Sequence, residues 1–224
     1  MFRLSRAIAL FPTAILIFIS SLSQSATGDE LNRADLKSNF FFKIQHAQSS
    51  ETDFGNTLFF DYDKSPDSGA VTAFSLGKQL SDSVFSLPLD LAGYVSVQHF
   101  DENGFQSDAY GISVYLKLSY DFSLPNNILD LRVGLGEGLS YVSRIPTTES
   151  RDFATKGAES EKLLNYLEYS IGLPLSQFFG KKFGKRIDEI YIAYTTWHRS
   201  SIFGLMAETG GGINYQGLSI EVVF

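Results

Sequence analysis

Residues 109–122 read AYGISVYLKLSYDF, and they divide cleanly into two faces. Tyr110, Ile112, Val114, Leu116, Leu118, Tyr120 and Phe122 fall on one side; Ser113, Tyr115, Lys117, Ser119 and Asp121 fall on the other. A period of two is the signature of a β-strand whose faces meet different surroundings. Lys117 and Asp121 could not face hydrocarbon cheaply, so the polar side must look into a shielded interior and the apolar side outward. The same alternation returns along residues 57–63, 70–79, 85–100, 128–145, 163–175, 187–203 and 212–224, separated by turn-forming stretches such as Ser65-Pro66-Asp67-Ser68-Gly69 and Leu124-Pro125-Asn126-Asn127.

After the amino-terminal region, no segment holds the ~20 uninterrupted apolar residues of a membrane helix, so any crossing falls to strands. A last strand with an apolar face at Leu218, Ile220 and Val222, ending in aromatic Phe224, resembles the closing strand of bacterial outer-membrane β-barrels. The expectation is an all-β chain forming an eight-stranded antiparallel transmembrane barrel, because bacterial single-chain barrels have even strand numbers. Residues 39–48, NFFFKIQHAQ, would make a ninth strand and are read as a strand extension or tucked segment. At eight strands the lumen is filled by side chains, which argues against a diffusion pore.

Residues 1–26 have the form of a secretory signal peptide. Arg3 and Arg6 precede an apolar centre, and Ser23-Gln24-Ser25-Ala26 supplies small residues for cleavage. Removing them leaves about 198 of the 224 residues, enough for one domain: a periplasmic lead-in at 27–56 and the barrel at 57–224. The absence of Cys excludes disulfides and thiolate metal sites, and a net charge of −7 argues against a nucleic-acid partner. An entry from the periplasm places the long connections 146–162 and 204–211 outside and the short turn 124–127 inside.

The chemistry concentrates in residues 188–224. The penultimate strand carries Ile190, Ile192, Tyr194, Thr196, His198 and Ser200 on one face, so an imidazole and a hydroxyl share the outward side. Starting near Ile187, His198 lies roughly 26 Å up a strand tilted by ~45°, at the outer rim of the apolar band. An imidazole there can take the proton of a neighbouring hydroxyl in acyl transfer. The plainer reading, of equal weight, is an ordinary pair of interfacial residues. His46, without a second metal-type residue nearby, and His99, at a strand end, read as structural; Lys181, Lys182, Lys185 and Arg186 read as an orienting or headgroup-facing cluster.

The segment His198-Arg199-Ser200, followed by one strand ending in Phe224, is similar to the lipid A 3-O-deacylase family over about the last 30 residues. That resemblance implies an eight-stranded outer-membrane esterase needing no metal or cofactor, acting on lipopolysaccharide among outer-membrane lipids, with Ser200 as nucleophile and His198 as base. The family's Asn after the serine is replaced by Ser201, and Asn214 stands where its Glu is expected. Pairing of the last two strands around residues 206–209 would set Asn214 opposite Ser200. Glu208 in the connecting loop is an alternative acid. Glu137 is a third, unless Gly134, Gly136 and Gly138 form a bulge that turns it inward. The alternative function is a non-enzymatic barrel with a structural or surface-interaction role.

Overall fold

The computed structural model describes residues 39–180, 187–201 and 212–224. The expected signal peptide, 1–26, and residues 27–38 of the expected lead-in lie outside the described residues. Eight antiparallel strands run in chain order: β1 Phe40–Ser50, β2 Ala70–Ser81, β3 Asp90–Asp101, β4 Ala109–Ser123, β5 Asp130–Val142, β6 Leu163–Pro174, β7 Glu189–Ser200 and β8 Gly212–Val223. Each pairs with the next, and β1 pairs with β8 from Phe41↔Val223 to Ser50↔Asn214, which closes the sheet into a barrel.

The first strand is Phe40–Ser50, not residues 57–63. Phe41, Lys43, Gln45, Ala47 and Ser49 are buried inside, whereas Phe40, Ile44, His46 and Gln48 are exposed outside. Lys43 disguised this pattern, because it is inward and paired with Glu168 from β6. Residues 57–63 cannot form a strand. They leave a helical turn, α1 (Phe54–Thr57), and Phe60 takes a left-handed φ of 63°. The barrel therefore begins well before residue 57, and the count of eight is preserved.

The outer surface alternates as expected, with Phe74, Leu76, Val95, Val97, Ile112, Val114, Leu135, Leu139, Leu218 and Ile220 all exposed. An apolar exterior of this extent is the face pattern of a transmembrane barrel. The interior is filled in layers. Near the end that holds the short turns, Arg132 bonds Asp90 at 2.7 Å and Asp121 at 3.2 Å. Lys43 and Lys117 then meet Glu168 and Glu221, with Tyr166 donating to Glu168 at 2.5 Å and Tyr94 to Glu221 at 3.0 Å. The rings of Tyr115, Tyr166, Trp197 and Tyr215 stack across the lumen with centroids 4.4–5.6 Å apart. Glycines make room for this filling. A β-carbon at Gly134 would come within 2.6 Å of Lys117 Cε and Ser170 Oγ. Registers through β5 are continuous, so no bulge forms there.

The connections 51–69, 102–108 and 143–162 gather at one end of the barrel, the end at which β7 finishes and β8 starts. Helix α2 (Thr147–Thr155) caps this mouth. Its Glu149 accepts from Arg199 Nε at 2.8 Å and from Ser160 at 2.5 Å, and both members of the Arg199–Glu149 pair are fully buried. Arg199 also donates to the backbone and hydroxyl oxygens of Ser140 at 3.1 and 2.8 Å.

Candidate active site

His198 and Ser200 face outward from the top of β7, as the alternation predicted, while Trp197 and Arg199 between and beside them point in. On β8 the register differs from expectation. His198 pairs with Asn214 and Ser200 pairs with Gly212, so Asn214 lies opposite the histidine rather than the serine. The two strands pair about position 206, one position before the centre that a Ser200–Asn214 pair needs, and the resulting shift of two along one strand keeps the face while changing the neighbour.

Asn214 is fixed by its Nδ2, which donates to the Thr52 carbonyl at 2.6 Å. Among the described residues its Oδ1 is buried without a well-formed hydrogen bond, and so is Nδ1 of His198. An orphan acceptor and an orphan ring nitrogen thus sit on directly paired residues. Buried polar atoms seldom go unsatisfied, so a small side-chain rotation that joins them would be favoured. Gly212 is needed for this packing. A β-carbon there would run into the Arg199 carbonyl and reach 2.8 Å from His198 Cε1.

The segment between β1 and β2 straps across the outside of β7 and β8. Phe54 lies over the His198 ring at 4.9 Å between centroids, and Phe60 over Tyr194 at 4.9 Å. Gln216 donates to Ser50 Oγ at 2.9 Å and accepts from Tyr194 OH. The outward polar residues Thr196, Asn214 and Gln216 are consequently buried. Arg151 of α2 holds the strap through Glu51, Asp67 and, at 3.0 Å, Ser65. The strap also presents apolar side chains outward, Phe59 being 82% exposed. Its Tyr62 donates to Gln48 at 3.1 Å, and burial, followed by the Asp63 carboxylate, pushes that phenol above its ordinary value.

Between strap, α2 and the tops of β7 and β8 lies an open cavity of about 620 Å³. His198, Ser200 and Asn214 line it with Phe54, Asp152 and Lys156. Asp152 accepts from Gly212 N at 3.0 Å and from Lys156 at 2.8 Å, a rim carboxylate that sequence reasoning missed. Among the described residues no hydrogen bond joins His198 to Ser200; they share a face, a strand end and a cavity.

The other candidates separate from this group. Glu137 points outward in its apolar row, not inward, and Leu167 stands between it and His198. Two strand spacings put them about 10 Å apart, beyond contact. Glu208 lies outside the described residues, as do Lys181, Lys182, Lys185 and Arg186. His46 bonds Thr72 Oγ1 at 3.0 Å and His99 bonds Asp108 at 3.0 Å, both away from the cavity. A further polar residue stands beside the site, outside the cavity lining. Asn165 of β6 pairs directly with Ser200 and shares its face, and its parity was legible in the sequence although its register was not.

No protein-family model matches the chain, and no curated protein matches it in sequence. Among solved structures, the outer membrane enzyme PagL superposes with a TM-score of 0.52 at 11% identity, over 81% of this chain and 98% of PagL. The N-terminal β-barrel domain of Pseudomonas aeruginosa OprF gives 0.39 at 12% identity, over 84% of this chain and 97% of its own. The Yersinia pestis attachment protein Ail, solved with the heparin analogue sucrose octasulfate, gives 0.34 at 14%, over 84% and 99%. The first of these likenesses establishes the shared eight-stranded barrel fold, and the other two carry no weight.

Proposed function

We propose that this chain, after loss of its signal peptide, is an outer-membrane esterase that removes an ester-linked acyl chain from the lipid A part of lipopolysaccharide. The observation that carries the reading is the convergence of His198, Ser200 and Asn214 on one rim cavity of an otherwise apolar outer face. Polar side chains on such a face are costly and call for a use.

The chemistry follows from the positions. Ser200 Oγ attacks the ester carbonyl as His198 takes its proton, and the carbonyl π electrons move onto oxygen. Collapse breaks the bond to the sugar oxygen, which leaves with the proton returned by His198. Water, deprotonated by the same imidazole, then hydrolyses the acyl-serine. Asn214, its amide orientation set by Thr52, offers Oδ1 to the Nδ1–H of His198 and holds the ring in the tautomer that leaves Nε2 free. Hydrogen bonds of this kind are commonly loose without substrate and tighten when it binds. The His-x-Ser resemblance to lipid A 3-O-deacylases and the barrel likeness to the outer membrane enzyme PagL support the same reading.

Ser200→Ala should abolish deacylation while the barrel retains its heat-modifiable mobility on gels. Lipid A mass spectra that are identical with wild type, Ser200→Ala and no protein would reject the reading. The tightly knit mouth around α2 favours a second reading, a non-enzymatic barrel that presents its outer loops to a partner. On that reading His198→Ala changes nothing, and altering the exposed face of residues 146–162 removes the phenotype.

A further inference from the structure

We infer that Asn165 donates the hydrogen bond that stabilises the oxyanion in the reaction at Ser200, an inference that rests on the catalytic reading above. Asn165 sits in the outward row of β6 between Leu163 and Leu167, where an apolar residue fits and Asn is disfavoured. It is directly across from Ser200 in the β6–β7 ladder. Facing residues on one side of such a ladder have β-carbons about 4.5–5.5 Å apart, within reach of one small acceptor placed between them. Although it faces out of the barrel, Asn165 is only 7% exposed, and no hydrogen bond among the described residues occupies its amide.

The direction also fits. The His198 ring leans toward Gly212, so the proton acceptor lies on the β8 side of Ser200. A carbonyl attacked by Ser200 with its oxygen turned away from the base points that oxygen toward β6. Asn165, across the ladder on that side, carries an amide donor. As Ser200 Oγ bonds to the carbonyl carbon, the negative charge growing on that oxygen meets a donor on a largely buried side chain flanked in its row by Leu163 and Leu167. A preorganised donor of this kind acts mainly on the transition state.

The test uses the full barrel refolded in vesicles bearing lipid A, with heat-modifiable mobility as the check on folding. Asn165→Ala and Asn165→Asp should lower kcat by about 10²–10³ while KM moves little. Asn165→Ser, which restores a donor, should recover part of the loss. A long-chain alkyl fluorophosphonate, whose phosphoryl oxygen takes the oxyanion position, should label Ser200 more slowly in the same two variants. Folded Asn165→Ala and Asn165→Asp proteins with wild-type kcat and labelling rates would overturn the assignment while wild-type activity and an inert Ser200→Ala left the catalytic reading standing. Equal and null rates for wild type and Ser200→Ala would overturn both.

Discussion

Asn214 shows how far one residue can be read before the fold is in hand. The alternation put it on the same face as His198, but the choice between His198 and Ser200 as its neighbour depended on where the β7–β8 hairpin turns. Strand patterns specify faces strongly; registers follow from loop geometry and tertiary closure. His198 and Ser200 themselves needed no register, only parity, and so were legible. Asn165 needed the β6–β7 register to acquire any meaning. If Asn214 orients the imidazole, Asn214→Ala should lower kcat about tenfold, the worth of one neutral hydrogen bond. Asn214→Glu should raise kcat above wild type, because a carboxylate stabilises the imidazolium that an amide merely orients. Rates measured on lipid A vesicles decide this, and an Asn214→Ala enzyme with the wild-type kcat would remove Asn214 from the machinery.

At the scale of elements, the strap was the part that sequence reasoning mistook for a strand. Phe59, Phe60 and Tyr62 around Asp61 imitate an alternating apolar run, whereas the true first strand hides its inward face behind Lys43 and Gln45. Lys43 is inward because Glu168 on a distant strand receives it, which no local window reveals. The strap's hold on the barrel is uneven: aromatic contact with His198 and Tyr194 along β7, and ion pairs from a single guanidinium at α2. Arg151→Gln should therefore free residues 51–69 without unfolding the strands. Limited proteolysis should cut that segment faster in the variant and leave the remaining barrel as a protected core. Equal protection in both proteins would mean that the aromatic contacts and the Asn214–Thr52 bond fix the strap without Arg151.

Across the whole molecule, the outer belt and inner layers were legible in outline, since one face of nearly every strand carries the charged residues. The pairing of those charges was not. Glu168 serves both Lys43 and Lys117, joining β1, β4 and β6 through the centre of the lumen. Removing one partner from such a buried group leaves uncompensated charge, so Lys43→Met should cost about 3–5 kcal/mol of stability. The double variant Lys43→Met with Glu168→Leu should lose clearly less than the sum of the two single changes. Urea titration of the folded gel band in vesicles measures both, and simple additivity would show that the charges act independently.

The end of β7 serves two structures by turns. His198 and Ser200 belong to the outside, and Arg199 between them belongs to the plug through Glu149. A slip of this strand by a single position would send a guanidinium into the acyl chains and bury an imidazole where Glu149 expects a cation. The stopper inside thus acts as a ratchet tooth for the surface: as long as it is engaged, the hydroxyl cannot wander from its neighbours, and neither feature can evolve without the consent of the other.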